Sequence, residues 1–312
     1  MDMPETRSEL VLGQAGYPAC VGELADAPPR LYVRGNSELL GAPALAVIGS
    51  RRATPYGMAL AEMAARIAAQ SGLAVVSGGA IGCDQAAGCA ALSAGGKHII
   101  VLGSGADVVY PATARALVER TLETGGAIVS LEPWGFKPRP WTFPKRNRVI
   151  AALAQALFVT EAGLPSGTFS TAEASFELGR EVLAAPGSIL SPQSRGANDL
   201  IASGACCIVD EDALEMAISR IYGLLRFERP AAPGVTGLDA AEKRALDMLV
   251  ANPLRAEELA AALHQDGVSC ARLLSSMQVA GTVDRLWDGR WAPSKQSLHA
   301  LTPLGDNGRL LR

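Results

Sequence analysis

The sequence predicts an α/β protein in two parts: a Rossmann-like, doubly wound and mostly parallel sheet, and a small C-terminal winged helix-turn-helix domain. Short apolar runs alternate with Ala- and Leu-rich segments along the first two thirds of the chain. The composition agrees, because 49% of the residues are hydrophobic but only 5% are aromatic, which is typical of helices packed closely on a parallel sheet. A proline-containing stretch without periodicity, residues 226–236, then precedes a second helical region.

Seven apolar runs have the length of buried strands. They lie at residues 45–49, 73–77, 98–103, 127–131, 156–160, 181–185 and 206–209. Helices are predicted between them at residues 56–70, 84–93, 113–123 and 171–178. Because ligands bind at the carboxyl ends of the strands in such sheets, we expect the functional residues in the loops that follow these runs.

The second region has the pattern of a winged helix. Its predicted elements are helices at 240–251, 256–264 and 269–280 and a hairpin around Asp288 and Gly289. Residues 238–312 contain nine acidic and nine basic residues, so this region lacks the basic surface of a duplex-reading domain. We predict a lead-in at 1–30, a Rossmann-like domain at 31–225, a linker at 226–236, the winged-helix domain at 237–293 and a tail at 294–312.

Composition also limits the partners and the location. The formal net charge of -3 provides no overall field that would attract a polyanion, so any such site must be local. No run approaches the roughly 20 apolar residues that cross a bilayer, and the acidic start does not resemble a signal peptide, so we expect a cytoplasmic protein without membrane contact. The six cysteines are spaced neither for zinc nor for a disulfide framework. We expect buried free thiols, no metal and no cofactor.

Three loops that follow predicted strands could hold a phosphate, because each combines small or hydroxyl residues with a helix start. The loop at 49–57 adds two guanidinium groups, but it is not a dinucleotide-binding motif and no acid follows where a ribose would need one. An ordinary tight turn is the alternative for the first two of these loops. The candidate residues are Ser50, Arg51, Arg52, Ser77, Gly78, Gly79, Ser166, Gly167 and Thr168.

The segment 134–148 is the most distinctive part of the sequence. It contains five basic residues, four aromatic residues and no acid, and its prolines argue against burial of the whole segment. Basic groups neutralise phosphates and aromatic faces stack on unpaired bases, so the segment indicates single-stranded nucleic acid rather than a duplex. The alternative is an ordinary loop with inward-facing aromatic rings. The residues are Lys137, Arg139, Lys145, Arg146, Arg148, Trp134, Phe136, Trp141 and Phe143.

The sequence contains no recognisable catalytic arrangement. His98 lies in a predicted strand, His264 in a turn and His299 in the tail, and none belongs to a pattern typical of a catalytic triad. We therefore expect no catalytic residues and no enzyme activity.

Seven motifs in this order resemble the DNA-processing protein A (DprA/Smf) family. They are LYVRGN at 31–36, GSRRATPYG at 49–57, SGGAIG at 77–82, VLGSGADVVYP at 101–111, PRPWTFPKRNRVIAAL at 138–153, SGTFSTA at 166–172 and GREVLAAPG at 179–187. The resemblance implies a Rossmann-like homodimer that binds and protects single-stranded DNA and helps to load the RecA recombinase in natural transformation. It further implies phosphate contacts by Arg51, Lys145, Arg146, Asn147 and Arg148, base stacking by Phe143, and a pocket lined by Ser77, Gly78 and residues 166–168.

The chain departs from the family pattern in three respects. Only 30 residues precede Leu31, too few for the helical domain with which family members often begin. Gly88 occupies the position of a family histidine, and the winged-helix region is electrostatically neutral. These departures leave open any role of that histidine and the partner of the second domain.

Two other functions remain open from the residues. A nucleotide phosphoribohydrolase resembling the lysine-decarboxylase-like family shares this fold class, but its PGGxGTxxE motif is only partly matched by SGTFSTAE, which ends at Glu173. A winged-helix transcription regulator would instead bind duplex DNA through the second domain.

Overall fold

A nine-stranded sheet forms the centre of the protein. The computed structural model describes residues 6–224, 238–294 and 297–298, so the predicted linker and nearly all of the predicted tail lie outside the described residues. The strands are β1 (Arg7–Val11), β2 (Arg30–Gly35), β3 (Ala44–Ile48), β4 (Ala74–Ser77), β5 (His98–Leu102), β6 (Ala127–Ser130), β7 (Ala156–Val159), β8 (Glu181–Ala184) and β9 (Cys206–Cys207).

The strand order is β1-β2-β6-β5-β4-β3-β7-β8-β9. Strands β3 to β9 are mutually parallel, whereas β2 pairs antiparallel with β6 and β1 antiparallel with β2. All seven predicted strands are present, and the prediction of a Rossmann-like, mostly parallel sheet is confirmed. The antiparallel edge was not predicted. One of its two strands, β1, lies within residues 1–30, which the sequence assigned to a lead-in.

Helices cover both faces of this sheet. They are α1 (Ala19–Gly22), α2 (Pro55–Gln70), α3 (Cys83–Ser93), α4 (Arg115–Glu123), α5 (Thr142–Leu153), α6 (Thr168–Glu177), α7 (Arg195–Ala202) and α8 (Glu211–Tyr222). Successive residues of β3 point to opposite faces: Ala46 and Ile48 belong to the core shared with α5, and Leu45 and Val47 to the core shared with α2. Burying each large aliphatic side chain contributes about 1.5–3 kcal/mol, so both faces stabilise the sheet.

Helix α5 determines which part of the basic segment is buried. The helix starts at Thr142, and Pro144 lies within its first turn. A proline is compatible with this position because the first amide groups of a helix have no intrahelical acceptor. The periodicity of the helix then turns Arg146 inward, where only 4% of its surface is exposed.

The C-terminal region contains three helices and a two-stranded hairpin, α9 (Ala240–Ala251), α10 (Ala256–Ala262), α11 (Gly267–Val279), β10 (Val283–Arg285) and β11 (Trp291–Pro293). Leu246, Leu259 and Leu274 belong to its separate small core. Asp239 begins α9 with a capping box that includes Glu242. The predicted elements are therefore present, whereas their classification as a winged helix stays a prediction.

The six cysteines are free thiols. Cys83 and Cys270 are buried, but Cys89 and Cys207 are exposed, so the prediction of burial is wrong for these two residues. Cys89 lies on α3 and Cys207 on the edge strand β9, where the sheet ends. Within the described ranges, no helix is long and apolar enough to cross a membrane, and no cluster of three potential metal ligands occurs.

Candidate nucleic-acid interface

Two adjoining cavities open at the carboxyl ends of the parallel strands. The first, called the strand-end pocket, has a volume of about 460 Å³ and includes Ser50, Arg51, Arg52, Asp84, Arg146, Asn147, Ser166, Gly167 and Thr168 in its lining. The second, called the aromatic pocket, has a volume of about 260 Å³ and includes Arg51, Arg52, Gly78, Ile81, Tyr110, Phe143 and Arg146. Residues of all three predicted loops line these pockets, together with the start of α5.

The loop before α2 is held in shape by hydrogen bonds. The Ser50 hydroxyl accepts from the Arg52 amide at 3.1 Å, and the Thr54 hydroxyl caps α2 by accepting from the Gly57 amide at 3.2 Å. The buried Glu161 accepts from both the amide and the hydroxyl of Thr54, at 2.9 and 2.6 Å. Burial raises the pKa of Glu161, and the hydrogen bonds from Thr54 oppose that rise. The helix N-terminus and two guanidinium groups therefore meet at a preformed turn.

The glycine-rich loop after β4 is organised around Asp84. This carboxylate accepts from the Gly78 amide at 2.9 Å and from the Ala80 amide at 3.4 Å. Gly79 has a φ of 65°, a conformation that glycine adopts without strain. Burial raises the pKa of Asp84, while the positive charge of Arg146 and these backbone amides lower it. Asp84 thus holds the loop in place, and the loop residues Gly78 and Ala80 line the pockets.

Arg146 connects the two pockets. Its Nη1 donates to the Val101 carbonyl at 2.6 Å, and its guanidinium carbon lies 5.9 Å from the centre of the Phe143 ring. Burial lowers its pKa to about 10, so the side chain stays protonated at neutral pH. Its Nε is buried and has no hydrogen-bond partner among the described residues. A protonated guanidinium that lines two adjoining cavities is suited to an anionic ligand.

Two aromatic rings, those of Phe143 and Tyr110, line the aromatic pocket together with this cation. The Phe143 and Tyr110 rings lie 5.9 Å apart, and the guanidinium carbon of Arg51 lies 5.5 Å from the centre of the Phe143 ring. Tyr110 is 49% exposed and Phe143 is half-buried. A flat, partly exposed ring beside two guanidinium groups can stack on a base whose phosphate is neutralised nearby.

Other predicted residues lie away from the two pockets. Lys145 is exposed, with its ammonium 4.7 Å from the centre of the Trp141 ring, and it lines a separate cavity together with Arg148. Arg148 forms ion pairs with Asp26 at 2.9 Å and with Glu177 at 3.3 Å. Lys137 is exposed and lines none of these cavities. The basic segment is therefore divided between two surfaces.

Two predicted side chains support the loops. The buried Ser77 hydroxyl lies 2.9 Å from Nε2 of His98. The Asn147 amide donates to the Gly167 carbonyl at 3.2 Å and to the Ser170 hydroxyl at 2.8 Å, which ties α5 to the start of α6. Glu173, the carboxylate that a phosphoribohydrolase would need, is exposed and does not line the strand-end pocket.

The comparisons with known proteins agree with this geometry. The family model described as DNA recombination-mediator protein A matches residues 9–218, which include every loop of the two pockets. The chain belongs to this family. The two C-terminal strands and helices α9 to α11 lie beyond the matched residues.

Relatives within the recombination-mediator family are similar over part of their length. Protein Smf of Escherichia coli is 39% identical over 200 residues, 64% of this chain and 54% of that protein. DNA processing protein DprA of Streptococcus pneumoniae is 41% identical over 189 residues, 61% of this chain and 66% of that protein. The chain thus spans between about half and two thirds of the length of these relatives.

Two solved structures of DNA processing protein A superpose with a TM-score of 0.62 each. The protein from Streptococcus pneumoniae is 37% identical, with 66% of this chain and 72% of that chain covered. The protein from Helicobacter pylori is 29% identical, with 70% of this chain and 98% of that chain covered, and it is described by its single-stranded DNA binding mode.

The packing around Gly88 accounts for the glycine at the position where the family pattern has a histidine. A β-carbon at this position would overlap the imidazole of His98, which reaches the same space from β5. Burial lowers the pKa of His98 to about 3, and its ring contacts Ser77 and, at 3.2 Å, the Thr121 hydroxyl. A histidine from a neighbouring strand therefore fills the space that the absence of a side chain at Gly88 leaves.

Sequence reasoning missed several residues of the site. Tyr110 and Ile81 were not assigned a role, although both lie within motifs that carried the family resemblance, and Glu161 was not identified as the partner of Thr54. Their positions depend on contacts between distant parts of the chain. The Glu161 carboxylate, for example, holds Thr54 from 107 residues away.

Proposed function

We propose that this protein binds single-stranded DNA across the strand-end and aromatic pockets and acts as a recombination mediator without catalysing a reaction. The observation that carries the proposal is Arg146, a buried and protonated guanidinium that lines both pockets beside the exposed Arg51. Membership of the recombination-mediator family and a structural relative described by its single-stranded DNA binding support the same conclusion.

In this proposal, different parts of the two pockets recognise the phosphate and the base of a nucleotide. A phosphate is held by Arg51, Arg146 and the N-terminus of α2, and an unpaired base stacks in the aromatic pocket against Phe143. Base stacking contributes about 1–3 kcal/mol per base and does not depend on base identity. Since a base inside a duplex is already stacked, this division favours a single strand.

The wider role follows from the family. We propose that a cytoplasmic homodimer protects incoming single-stranded DNA during natural transformation and hands it to the RecA recombinase. The family description as a recombination mediator supports this assignment. It predicts that the protein accelerates RecA filament formation on a single strand without cleaving or modifying the DNA.

The binding proposal is tested by replacing the exposed Arg51 and the half-buried Phe143, which both line the aromatic pocket. We expect Arg51→Ala to weaken binding of a fluorescent oligo-dT about tenfold. The slope of the logarithm of the association constant against the logarithm of the salt concentration should become shallower by the amount that corresponds to about one phosphate contact. Phe143→Ala should weaken it by about 1–3 kcal/mol through lost stacking. The measurement is fluorescence anisotropy at several salt concentrations.

Matched controls come from the opposite part of the sheet. Arg220→Ala removes an exposed arginine that pairs with Glu181 on β8, and Phe176→Ala removes an exposed ring at the end of α6. Both controls should bind as the unaltered protein does. If the Arg51 and Phe143 variants bind as tightly as the controls, the pockets are not the DNA site.

A further inference from the structure

The hairpin of the C-terminal region reaches the rim of the pockets. Trp287 lies in the turn between β10 and β11, and the guanidinium carbon of Arg52 lies 5.2 Å from the centre of its ring. Arg52 lines both the strand-end and the aromatic pocket. The hairpin therefore places an indole beside the loop to which the proposed function assigns phosphate binding.

A second contact holds the hairpin in this position. Nη2 of Arg290 donates to Oε1 of Gln193 at 3.0 Å, and the same guanidinium pairs with Asp288 at 2.6 Å. The charge of Arg290 also acts on the buried Glu161, whose pKa it helps to lower. The side chain of Arg290 is only 14% exposed. A fixed polar contact, rather than burial of the indole, thus docks the hairpin on the first domain.

Trp287 itself remains open to solvent. Its exposed fraction is 65%, although an indole on a turn gains most when it is buried or covered by a partner. The Arg52 guanidinium occupies one side and orients the ring by a cation–π contact. The remaining exposed surface is that of an oriented aromatic group at the edge of a cationic pocket.

Consecutive arginines thus each accompany one aromatic ring. Arg51 lies against Phe143 of the first domain, and Arg52 lies against Trp287 of the hairpin. We propose that Trp287 is a second stacking platform, so that a single strand crosses the two arginines and stacks bases on Phe143 and Trp287. This inference rests on the proposed function and assigns the neutral C-terminal region a share of the single-stranded DNA site.

The test compares the unaltered protein with four variants in oligo-dT anisotropy titrations. Trp287→Ala should weaken binding at least fivefold, the lower end of what loss of one stacked base produces, and Trp287→Phe should restore most of that loss. Val279→Ala, a change at a 91% exposed residue of the same region, should have no effect. Arg290→Ala, which loosens the hairpin without altering the indole, should reproduce part of the loss.

Tryptophan fluorescence separates stacking from a merely structural effect. Saturating oligo-dT should quench the emission of the unaltered protein more than that of Trp287→Phe, since the variant lacks the indole on which a thymine is proposed to stack. Unchanged binding by Trp287→Ala would overturn the proposal, and tighter binding would identify the hairpin as a lid. Absence of oligo-dT binding by the unaltered protein, or no loss in Phe143→Ala, would instead contradict the proposed function.

Discussion

Gly78 provides the space that Arg146 occupies between the pockets. A β-carbon at Gly78 would overlap the guanidinium of Arg146, whose Nη1 is bound to the Val101 carbonyl. Only 4% of the Arg146 surface is exposed, so the added methyl group would press on a closely packed side chain. A side chain at residue 78 must therefore displace either the cation or the loop.

Gly78→Ala is expected to lower the free energy of unfolding by about 1–3 kcal/mol, the usual cost of overpacking, and to weaken oligo-dT binding. Urea denaturation and anisotropy measure the two effects. Gly41→Ala is the matched control, because nothing lies within 4 Å of its added β-carbon and its φ is not positive. Equal behaviour of the two variants would show that the position of Arg146 does not depend on Gly78.

The stability of the protein is expected to depend on pH through His98, which lies in the same region. Burial lowers its pKa to about 3, whereas in the unfolded chain the pKa is about 6.5. Between these values the unfolded chain binds a proton that the folded protein does not. The contribution of His98 to stability is therefore fully present above pH 6.5 and is lost progressively as the pH falls toward 3.

We expect this residue to add a slope of about 1.4 kcal/mol per pH unit to the free energy of unfolding below pH 6. In His98→Asn, which keeps a polar partner for Ser77, that slope should be smaller by this amount. Urea unfolding of both proteins at pH 6.5, 5.5 and 4.5 measures the difference. Parallel stability profiles would contradict a buried neutral imidazole.

At the scale of elements, the apolar runs predict strands well because a parallel strand is buried on both faces and reads as a continuous run. Strands β1 and β2 lie on the antiparallel edge, where burial alternates and charged residues such as Glu9 and Arg34 interrupt the pattern. The pocket loops are predictable for the same reason as the strands, since each follows one.

The inward turn of α5 was not predictable from local sequence. The prolines of segment 134–148 indicated a loop, but Pro144 falls in the first turn of a helix, where it is tolerated. Burial of Arg146 depends on the Val101 carbonyl, 45 residues earlier in the chain. Contacts of this kind decide which of several basic residues lines a pocket, and composition alone does not contain them.

The position of the hairpin was likewise not predictable from local sequence. The Asp288-Gly289 pair predicted its turn, but the contact between Trp287 and Arg52 joins two regions that are far apart in the sequence. The neutral charge of the C-terminal region argues against a duplex-reading surface of the usual basic kind, which stays a prediction. Charge counting does not detect a single exposed indole placed beside another domain's arginines.

For the whole molecule, a net charge of -3 provides no overall field that would attract DNA, so the proposed attraction must come from local groups of basic residues. Three guanidinium groups, those of Arg51, Arg52 and Arg146, line the strand-end pocket. If each neutralises one phosphate, the logarithm of the association constant should fall with the logarithm of the salt concentration with a slope of about −2 for a single strand.

The most direct measurement is an anisotropy titration of fluorescent oligo-dT, and of a duplex of the same length, with the full-length protein at two salt concentrations. We predict strong preference for the single strand and an affinity that declines with salt at this shallow slope. Equal or tighter binding of the duplex, or no binding of either DNA at low salt, would contradict the account of the pockets as a single-stranded DNA site.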